Sequence, residues 1–431
     1  MKAAFYALGC KVNQYEADCY AKMFADKGWE IVPFDCESDV YVINTCAITN
    51  IGERKSRQIL RRAKKQSPSS IVVATGCYAQ TKADELKKID EIDIVLGTAN
   101  RSQIVQIVEA KIEGRDIDAI TDIMKERMYE ELECAGKTER TRAYIKIQDG
   151  CDNFCSYCIV PYARGPVRSR KLENIVSEAQ RLCENGFCEI VLTGISVASY
   201  GKDLKNNHTL SDVIKAVCRV EKVKRVRLSS IDPRAFSDEF IELLASEEKI
   251  CRHFHISLQS GSTSVLKRMN RKYTAQQYIE KLEKIRKAMP DCGITTDIIC
   301  GFPEESEQEF AQTMEFAAKA RFLKVHVFPY SERSGTVAAL MTQVPKKERE
   351  ERAAKLASFC ESIATEVENS FVGTETRVLF EQCDDGFCEG LAPNYLRIFA
   401  AGSKELCGKI CNVEITQRKN GRLYARIVEV L

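Results

Sequence analysis

The chain has 431 residues, of which 44% are hydrophobic and 29% charged, so it holds enough apolar sequence for several folded domains. Its 64 Lys and Arg nearly balance its 62 Asp and Glu, which excludes the global basicity of a non-specific nucleic-acid binder. The 20 cysteines are scattered along a long chain, which argues against a small secreted disulfide scaffold and favours the reducing cytoplasm. No small-residue cleavage site follows the opening segment, and no run reaches the roughly 18 apolar residues of a membrane span, so we expect no membrane association.

Short β-branched runs alternate with helical patterns in the first part of the chain. The strand candidates are KAAFYAL, VYVIN, IVVATG and IDIVLG. This alternation predicts an α/β domain with a parallel sheet over residues 1–125. Cys10, Cys46 and Cys77 each follow one of the first three runs. Because the carboxyl ends of parallel strands meet at one edge, these cysteines are expected to lie close together, although a buried core role is the alternative.

A charged stretch from about Met124 to Arg142 is interpreted as a linker, and a second set of strand candidates follows it. These are AYIKIQD, EIVLTG, RVRLSS, HFHISLQ, ITTDIICG and VHVFPY, with a helical stretch between most neighbours. The pattern predicts a partial (β/α)6 barrel over residues 137–369. Its last helix, from Lys346 to about Asn369, is expected to pack back on the barrel.

A cysteine triplet near the start of this second part carries the strongest chemical signal. Cys151, Cys155 and Cys158 lie in the run GCDNFCSYCIVPYARG. Three thiolates leave a four-iron cluster with one open iron, whereas structural zinc sites and ferredoxin clusters take four protein ligands. The Cys-x3-Cys-x2-Cys spacing is that of radical S-adenosylmethionine (SAM) enzymes, in which SAM occupies the open iron. A zinc site or an incidental cysteine cluster is the alternative.

The last part of the chain, residues 370–431, is predicted to form a small β-barrel, because short β-rich pieces are separated by Gly, Asn and Asp. The candidate RNA contacts in this part are Arg397, Arg418, Lys419 and Arg422. A helix over residues 53–65, with seven basic residues and one acid, is the rival basic surface, and solvated faces are the alternative for both. Four cysteines of the barrel are expected to be core residues rather than zinc ligands: Cys383, Cys388, Cys407 and Cys411.

Together the two triplets resemble the methylthiotransferase family of radical SAM enzymes over essentially the full length. The motifs that carry the resemblance, in the family's order, are LGCKVNQYE, NTCAIT, TGC, GCDNFCSYCIVPYARG, LTG, RLSS, HISLQSGS, MNR, TDIICGFPEE and HVFPYSERSGT. The final barrel resembles the family's RNA-binding TRAM domain. The opening is most similar to the branch that acts on tRNA N6-threonylcarbamoyladenosine, since the isopentenyladenosine branch opens with GCQMN and the ribosomal-protein branch with GCPKN. Asp232, in SSIDP where SSLEP is frequent, and Glu332, where proline is frequent, depart from the pattern.

The resemblance implies an enzyme that adds a methylthio group to carbon 2 of N6-threonylcarbamoyladenosine at adenosine 37, beside the anticodon. It implies two 4Fe-4S clusters, a catalytic radical-generating one on Cys151, Cys155 and Cys158 and an auxiliary one on Cys10, Cys46 and Cys77. Carbon 2 of adenine is unactivated, so a hydrogen atom must be removed, and this requires a radical derived from SAM. The implied partners are the tRNA anticodon arm and a low-potential electron donor such as flavodoxin or ferredoxin, while the sulfur donor is not identified.

The family's motifs also assign SAM contacts to particular residues. Tyr157, Val327 and Phe328 are expected to flank the adenine. Thr193 and Gly194 are expected to meet the methionine nitrogen through their carbonyls, and Gln259 to reach the ribose or the carboxylate. The backbone from Asp297 to Gly301 is expected to support the adenine, and Arg164 to pair with the methionine carboxylate or the charge of the radical cluster. Ordinary hydrogen bonding at strand ends and loops is the alternative for each.

Two other functions stay open at this point. One is a related methylthiotransferase whose acceptor is isopentenyladenosine in tRNA or an aspartate in a ribosomal protein. The other is a non-catalytic iron-sulfur protein that binds RNA or senses redox state. The SAM motifs argue against the second, because a sensor does not need an open SAM barrel. The chain's four histidines, His208, His253, His255 and His326, are expected in the core or at the rim.

Overall fold

The structure, a computed structural model, describes residues 1–134 and 141–431. It has three parts in chain order: a parallel-sheet α/β domain, a partial β/α barrel and a small closed β-barrel. This architecture confirms the predicted fold class. Residues 135–140 of the predicted linker, which include the domain start predicted at residue 137, lie outside the described residues. No helix in the described ranges is long and apolar enough to cross a membrane.

The first domain contains a fully parallel five-stranded sheet with the order β2-β1-β3-β4-β5. The central strand, β3, is buried along its whole length because helices cover both faces of the sheet. The strands are β1 (Lys2–Ala7), β2 (Glu30–Val32), β3 (Val40–Thr45), β4 (Ile71–Gly76) and β5 (Ile94–Val95). The helices are α1 (Lys11–Asp26), α2 (Asn50–Gln66), α3 (Cys77–Thr81), α4 (Ala83–Leu86) and α5 (Ile104–Ile112).

The central domain contains six parallel strands, as predicted, and one short antiparallel strand, β7. Two sheets, β7-β6-β8-β9 and β10-β11-β12, are joined by bridges at Val226↔Ile250 and Ile231↔Ile256. The strands are β6 (Arg142–Asp149), β7 (Arg168–Ser169), β8 (Glu189–Gly194), β9 (Arg225–Leu228), β10 (His253–His255), β11 (Gly293–Cys300) and β12 (Lys324–Pro329). The helices are α6 (Val160–Arg164), α7 (Leu172–Glu184), α8 (Leu210–Cys218), α9 (Asp238–Ser246), α10 (Thr263–Arg268), α11 (Ala275–Ala288), α12 (Glu307–Ala320) and α13 (Lys346–Asn369).

Alternation along the barrel strands separates a helix-facing core from a polar lumen. Ile145 and Ile147 of β6 join the main apolar core, so Lys146 and Gln148 point to the opposite, lumen side. Helix α13 has the predicted bounds, and its Leu356 belongs to the same apolar core. The prediction that this helix packs on the barrel is therefore confirmed. A polar interior that faces a ligand is what this architecture provides.

The third domain is a closed five-stranded barrel with the order β13-β14-β15-β17-β16. Its strands are β13 (Glu375–Asp384), β14 (Phe387–Leu391), β15 (Arg397–Ala401), β16 (Ile410–Lys419) and β17 (Arg422–Val430). The fifth strand pairs in parallel with β15 and in antiparallel with β16, and this pairing closes the barrel. A small closed barrel was the predicted form.

A loop of the small barrel, residues 391–395, closes the amino-terminal end of the central barrel and is called the plug loop below. Arg225 Nη1 donates to the Leu391 carbonyl at 3.1 Å, and the Tyr395 ring stacks on His253 with centroids 4.1 Å apart. A Cβ at Gly293 would lie 2.0 Å from the carbonyl oxygen of Asn394, so this close approach requires glycine there. The two barrels are thus docked by backbone contact.

Two of the four barrel cysteines form a bond that the sequence analysis did not predict, although Cys388 and Cys411 lie in the barrel core as expected. Cys383 and Cys388 lie opposite each other on β13 and β14, and the structure contains a disulfide between them. Their register explains the bond, because directly opposed residues of an antiparallel pair bring their Cβ atoms close. Cys411 is fully buried, as expected of a core residue, and Cys407 lies with its Sγ 3.6 Å from the Cys383 Sγ. The disulfide also removes two of the four sulfurs from the zinc alternative.

Candidate active site

Three cysteines meet at the carboxyl edge of the first sheet. Cys10 caps the start of α1 after β1, Cys46 directly follows β3, and Cys77 begins α3 directly after β4. Burial raises the pKa of the Cys46 thiol to about 12, with smaller contributions from the neighbouring Cys77 and Cys10 thiols. A Cβ at Gly9, whose φ is +90°, would lie 2.8 Å from the Cys46 Sγ. The backbone before Cys10 therefore approaches the sulfurs as closely as only glycine allows.

The second triplet lies in one loop between β6 and α6. The Cys158 amide donates to the Cys155 carbonyl at 2.9 Å, and Phe154 adopts a positive φ of 45° that folds the loop back. Burial, with smaller contributions from the adjacent Cys155 and Cys151 thiols, raises the pKa of Cys158 to about 12. Three thiols this close together suit a site where a metal replaces their protons.

Each triplet has a buried guanidinium beside one sulfur. Arg164 Nε donates to the Cys77 Sγ at 3.2 Å, and Arg271 Nη1 donates to the Cys155 Sγ at 3.6 Å. A cation at a thiol favours the thiolate, which is the form that binds iron. The two sulfur sets therefore fit iron-sulfur clusters in charge as well as in number.

The structure places Arg164 at the first triplet, although the resemblance assigned it to SAM or to the second cluster. Its Nη2 donates to Asn13 Oδ1 at 2.7 Å and to Glu16 Oε2 at 3.0 Å, and Nη1 donates to Glu16 Oε1. With Nε on Cys77, the hydrogen bonds of all three guanidinium nitrogens go to residues of the first domain. A contact with the methionine carboxylate would require this fully buried network to open.

Arg164 belongs to a buried ionic network that the sequence analysis did not predict. Lys146 Nζ lies 2.7 Å from Glu16 Oε1 and 2.6 Å from Asp149 Oδ2, and Arg101 contacts the same two carboxylates. These five side chains are at most 2% exposed. With Arg168 beside Asp149 and Glu130 beside Arg101, four cations face three carboxylates, which leaves net positive charge beside Cys77. The signal in the sequence was the presence of two charged residues, Lys146 and Asp149, in a strand whose other residues are typical of a buried strand.

A second polar network supports the loop of the second triplet. Arg234 Nη2 donates to Asn153 Oδ1 at 2.8 Å, and Asn153 Nδ2 in turn donates to the Cys151 Sγ at 3.5 Å. Asp232 accepts from Arg234 Nε at 2.8 Å and lies 3.7 Å from Arg271 Nη2. Although Asp232 departs from the usual Glu, its carboxylate holds both cations that reach this triplet.

The other predicted SAM contacts line the carboxyl-end rim of the partial barrel. Thr193 and Gly194 end β8. Gln259 has a φ of +77°, and its backbone bonds to both Asp297 and Ile299 at 2.9 Å. Gly301 ends this stretch with its amide bonded to Glu305 Oε2 at 2.7 Å. Their roles toward SAM stay predictions.

The three residues expected to flank the adenine occupy different surroundings. Val327 and Phe328 are neighbours on β12, so their side chains point to opposite faces. Val327 packs against the main core, whereas Phe328 is 43% exposed on the lumen side. Tyr157 packs beside a separate apolar cluster that includes Phe302 and Tyr330. Of the β12 pair, only Phe328 presents a side chain to the lumen, so a Val327 contact would use its backbone.

Two of the four histidines face the lumen in a polar cluster with an aspartate. His255 Nε2 lies 3.1 Å from Asp297 Oδ2, its Nδ1 lies 3.0 Å from Thr295 Oγ1, and the His326 ring is 5.9 Å away. Donor atoms of His255, Asp297 and His326 all lie within 4.8 Å of one another. Both ring nitrogens of His255 are engaged, so the cluster is a hydrogen-bonded wall of the lumen. Rim positions were one of the expected locations.

The candidate RNA-binding residues differ in whether their charges are already paired with carboxylates. Arg397 is paired with Glu389, and Arg418 Nε is held by Glu368 of α13 at 2.7 Å. The Arg422 guanidinium lies over the Phe399 ring at 4.8 Å, and Lys419 is exposed. On helix α2, Arg57, Arg61, Arg62 and Lys64 pair with acids of the first domain, while Arg54, Lys55 and Lys65 are exposed.

Comparisons with known proteins agree with this geometry. Residues 145–317 match the radical SAM superfamily, and residues 2–97 match the uncharacterized protein family UPF0004. The threonylcarbamoyladenosine tRNA methylthiotransferase MtaB of Bacillus subtilis is 42% identical over 99% of this chain and 97% of its own length. The MtaB of Aquifex aeolicus is 39% identical over 96% of this chain and its full length. The chain belongs to the methylthiotransferase family of radical SAM enzymes.

The relatives of this methylthiotransferase include a second branch. The tRNA-2-methylthio-N(6)-dimethylallyladenosine synthase of Thermoanaerobacter sp. is 35% identical over 98% of this chain and 92% of its own length. Among solved structures, the radical SAM methyltransferase TsrM from Kitasatospora setae matches with a TM-score of 0.58 at 14% identity, over 85% of this chain and 90% of that one. That likeness bears on the fold alone. Membership confirms the expected enzyme class and its cofactors, SAM and 4Fe-4S clusters, of which methylthiotransferases typically hold two.

Proposed function

We propose that this methylthiotransferase acts on N6-threonylcarbamoyladenosine at adenosine 37 of tRNA. The observation that carries the proposal is the pairing of two cysteine triplets through one residue: Arg164 ends the short helix after Cys158 and donates to the sulfur of Cys77. The two sulfur sets are thus linked by one side chain. The branch follows the more similar relatives, at 42% and 39% identity against 35% for the dimethylallyl branch.

The chain's residues would hold and orient the reactants. Cys151, Cys155 and Cys158 would hold one cluster, and Cys10, Cys46 and Cys77 the other. When bound, these clusters and SAM supply a carbon radical and a methylated sulfur for transfer to carbon 2 of the adenine. Arg164 and Arg271 would balance the negative charge of the sulfur ligands. The lumen wall of His255 and Asp297 and the ring of Phe328 would position the nucleobase.

Nucleoside analysis tests the acceptor directly. The purified protein, with iron and sulfide reconstituted, is given SAM, dithionite and tRNA that carries either threonylcarbamoyladenosine or isopentenyladenosine. We expect the 2-methylthio product only from the first tRNA. Product only from the second would transfer the protein to the other tRNA branch. Formation of neither, without 5′-deoxyadenosine, would instead favour a non-catalytic iron-sulfur protein.

The proposal includes the partners that such a reaction needs. The anticodon arm of tRNA is the macromolecular substrate, and a low-potential donor such as flavodoxin or ferredoxin would supply the electron for SAM cleavage in the cytoplasm. The small barrel would hold the RNA by phosphate contacts. Lys419 and Arg422 support this role better than Arg397 and Arg418, whose charges are already paired.

The salt dependence of tRNA binding tests this assignment. Substituting Lys419 and Arg422 with Glu should flatten the plot of log affinity against log salt by nearly one unit for each true phosphate contact. Substituting Arg418 alone should change the slope less, because Glu368 already neutralises it. An unchanged slope in the double variant would move the RNA surface to the exposed Arg54, Lys55 and Lys65 of α2.

A further inference from the structure

One cation of the barrel interior has no partner. Lys11 is the first residue of α1, directly after Cys10, and the residue is only partly exposed. Its ammonium makes no hydrogen bond and no ion pair with any residue in the described ranges 1–134 and 141–431. An ammonium in a partly enclosed site with no directly bonded counter-ion is unfavourable, so its presence needs a reason.

The position of Lys11 adds two further costs. The amino-terminal end of a helix carries partial positive charge, and α1 has no acidic residue in its first turn to offset a lysine there. The side groups that act most strongly on the ammonium include two more cations, Arg142 and Arg227, against one carboxylate, Glu189. Natural chains keep such locally unfavourable arrangements mainly where function requires them.

Helix α1 packs against β6 and β8, and the charges that act on Lys11 lie at the base of the lumen. Arg142 and Glu189 begin β6 and β8, and Arg227 of β9 donates to the plug-loop carbonyls of Ala392 and Pro393. The Lys11 charge also acts on His253, at the start of β10, whose ring is stacked on Tyr395 of the plug loop. Lys11 therefore reaches from the first domain into the central barrel, above the floor formed by that loop.

The other charges of this base are already matched. Arg227 Nε lies 2.7 Å from Glu189 Oε1, and Arg142 Nε lies 2.6 Å from Glu381 Oε1. The Arg225 guanidinium donates to the carbonyls of Leu391 and Arg377. Four cations thus face two carboxylates, and among the described residues Lys11 is the one of the four that makes no hydrogen bond or ion pair. Its charge is therefore available to an anion that enters the lumen.

We propose that the base of the lumen is an anion subsite in which Lys11 binds the carboxylate of the threonyl group on the substrate nucleobase. This inference rests on the proposed function. Lys11 adjoins Cys10, so the first turn of α1 would contribute to the sulfur-bearing cluster and to the N6 substituent of the same adenine. A threonylcarbamoyl group carries a carboxylate that matches the unpaired ammonium. An isopentenyl group is uncharged and would leave it unpaired, so the subsite discriminates between the two tRNA classes.

The wall of the lumen above this base keeps contact with solvent. The side chains of His255 and Asp297 retain 17% and 31% exposure, so a ligand can enter from the carboxyl-end rim. Hydrogen bonds to a charged group contribute enough that losing this pair should weaken binding about tenfold to a hundredfold. The effect should fall on substrate affinity, because the carboxylate takes no part in the bond changes at carbon 2.

The experiment neutralises first the carboxylate of the RNA and then the ammonium of Lys11. An anticodon stem-loop RNA is prepared with threonylcarbamoyladenosine, with its methyl ester, or with unmodified adenosine at position 37. Equilibrium binding to the reconstituted full-length protein is measured by fluorescence anisotropy for the wild type and for Lys11→Gln, Lys11→Arg and the surface control Lys22→Gln on the same helix. KM and kcat for methylthiolation are measured in parallel.

The wild type and Lys22→Gln should bind the acid form about tenfold or more tightly than the ester. Lys11→Gln should bind acid and ester equally and show the loss mainly in KM, while Lys11→Arg should recover part of the preference. An acid and ester that bind the wild type equally would overturn the subsite, even if Lys11→Gln failed to hold iron. If the wild type does not methylthiolate the threonylcarbamoyl RNA at all, the proposed function fails instead, so the two failures are distinguishable.

Discussion

The two cysteine triplets are built in opposite ways. The first collects one cysteine from each of three strand ends, so the packing of the sheet fixes its sulfurs before any metal binds. The second places its three sulfurs in one loop. Arg234 and Arg271, from distant parts of the barrel, contact this loop and support it. A site at a sheet edge tolerates little backbone change, whereas a loop site depends on the side chains that support the loop.

The arginines beside the two triplets, Arg271 and Arg164, also differ in which domain they support. Arg271 comes from a distant part of the central barrel and serves the sulfurs of that domain's own loop. Arg164 ends the helix that follows the second triplet, yet it serves the first triplet across the domain boundary. The first site thus depends on the second domain for its charge, and the second site has no comparable contact from the first domain among the described residues.

The largest effect is expected when the loop site is removed. Replacing Cys151, Cys155 and Cys158 together with Ala should abolish 5′-deoxyadenosine formation, because no ligands remain for the radical cluster. Iron and sulfide should fall to about half of the wild-type content if the two sites fill independently. Chromatography and iron analysis measure both. Loss of all iron would show that the sheet-edge site cannot fill without the loop site.

Removing the sheet-edge site should separate the two activities. The triple Ala variant of Cys10, Cys46 and Cys77 should lose methylthiolated product by more than about a hundredfold, since losing a ligand exceeds the usual cost of losing a residue that supports one. Its 5′-deoxyadenosine formation should fall far less. Product formed at the wild-type rate would mean that the first triplet does not supply sulfur.

Substitutions of Arg271 and Arg164 should show which cysteine triplet each arginine supports. Lysine cannot reproduce the forked hydrogen bonds of arginine. Arg271→Lys should therefore slow 5′-deoxyadenosine formation about tenfold or more, in the usual range for a residue that supports a metal ligand. Arg164→Lys should lower the ratio of methylthiolated product to 5′-deoxyadenosine instead. If both variants reduced the two products equally, the division of roles between the two cations would be wrong.

The smallest change tests the rigidity of the sheet edge. Gly9→Ala adds a Cβ 2.8 Å from the Cys46 Sγ, whereas Gly28→Ala adds one with no atom within 4 Å, and both residues have a φ near +85°. Backbone strain of about 1 kcal/mol is common to the two variants. Only Gly9→Ala should also lose iron, measured per protein after reconstitution. Equal iron content in both would show that the first site relaxes around the added methyl group.

Local sequence patterns were sufficient to predict most strands and the proximity of the cysteines within each triplet. Alternating or continuous β-branched runs mark the six parallel strands β6 and β8 to β12, and three cysteines just after strand ends are expected to meet at one sheet edge. The two-residue β7 was not predicted. The second triplet has a fixed spacing within one loop. The short β2 has no strong apolar run and was not predicted. The disulfide of Cys383 and Cys388 depends on the hairpin register, which the spacing alone does not give.

Contacts between domains could not be predicted from local patterns. Arg164 pairs with Glu16, and Lys146 pairs with the same carboxylate, across sequence separations of 148 and 130 residues. A charged residue in a predicted strand is most simply explained by solvent, and only the docked first domain turns Lys146 into a buried group. The sequence identifies Lys11 only as part of a motif, because its lack of a hydrogen-bond or ion-pair partner among the described residues depends on how the domains pack.

The plug loop has a consequence for substrate choice along the RNA. Because residues 391–395 dock by backbone contact and Gly293 leaves no space between the barrels, the surface around Lys419 and Arg422 sits at a fixed distance from the cysteine triplets. If the small barrel binds the anticodon stem, this fixed distance determines which nucleotide enters the lumen. Anticodon stems lengthened or shortened by one base pair should therefore present the wrong nucleotide to the lumen.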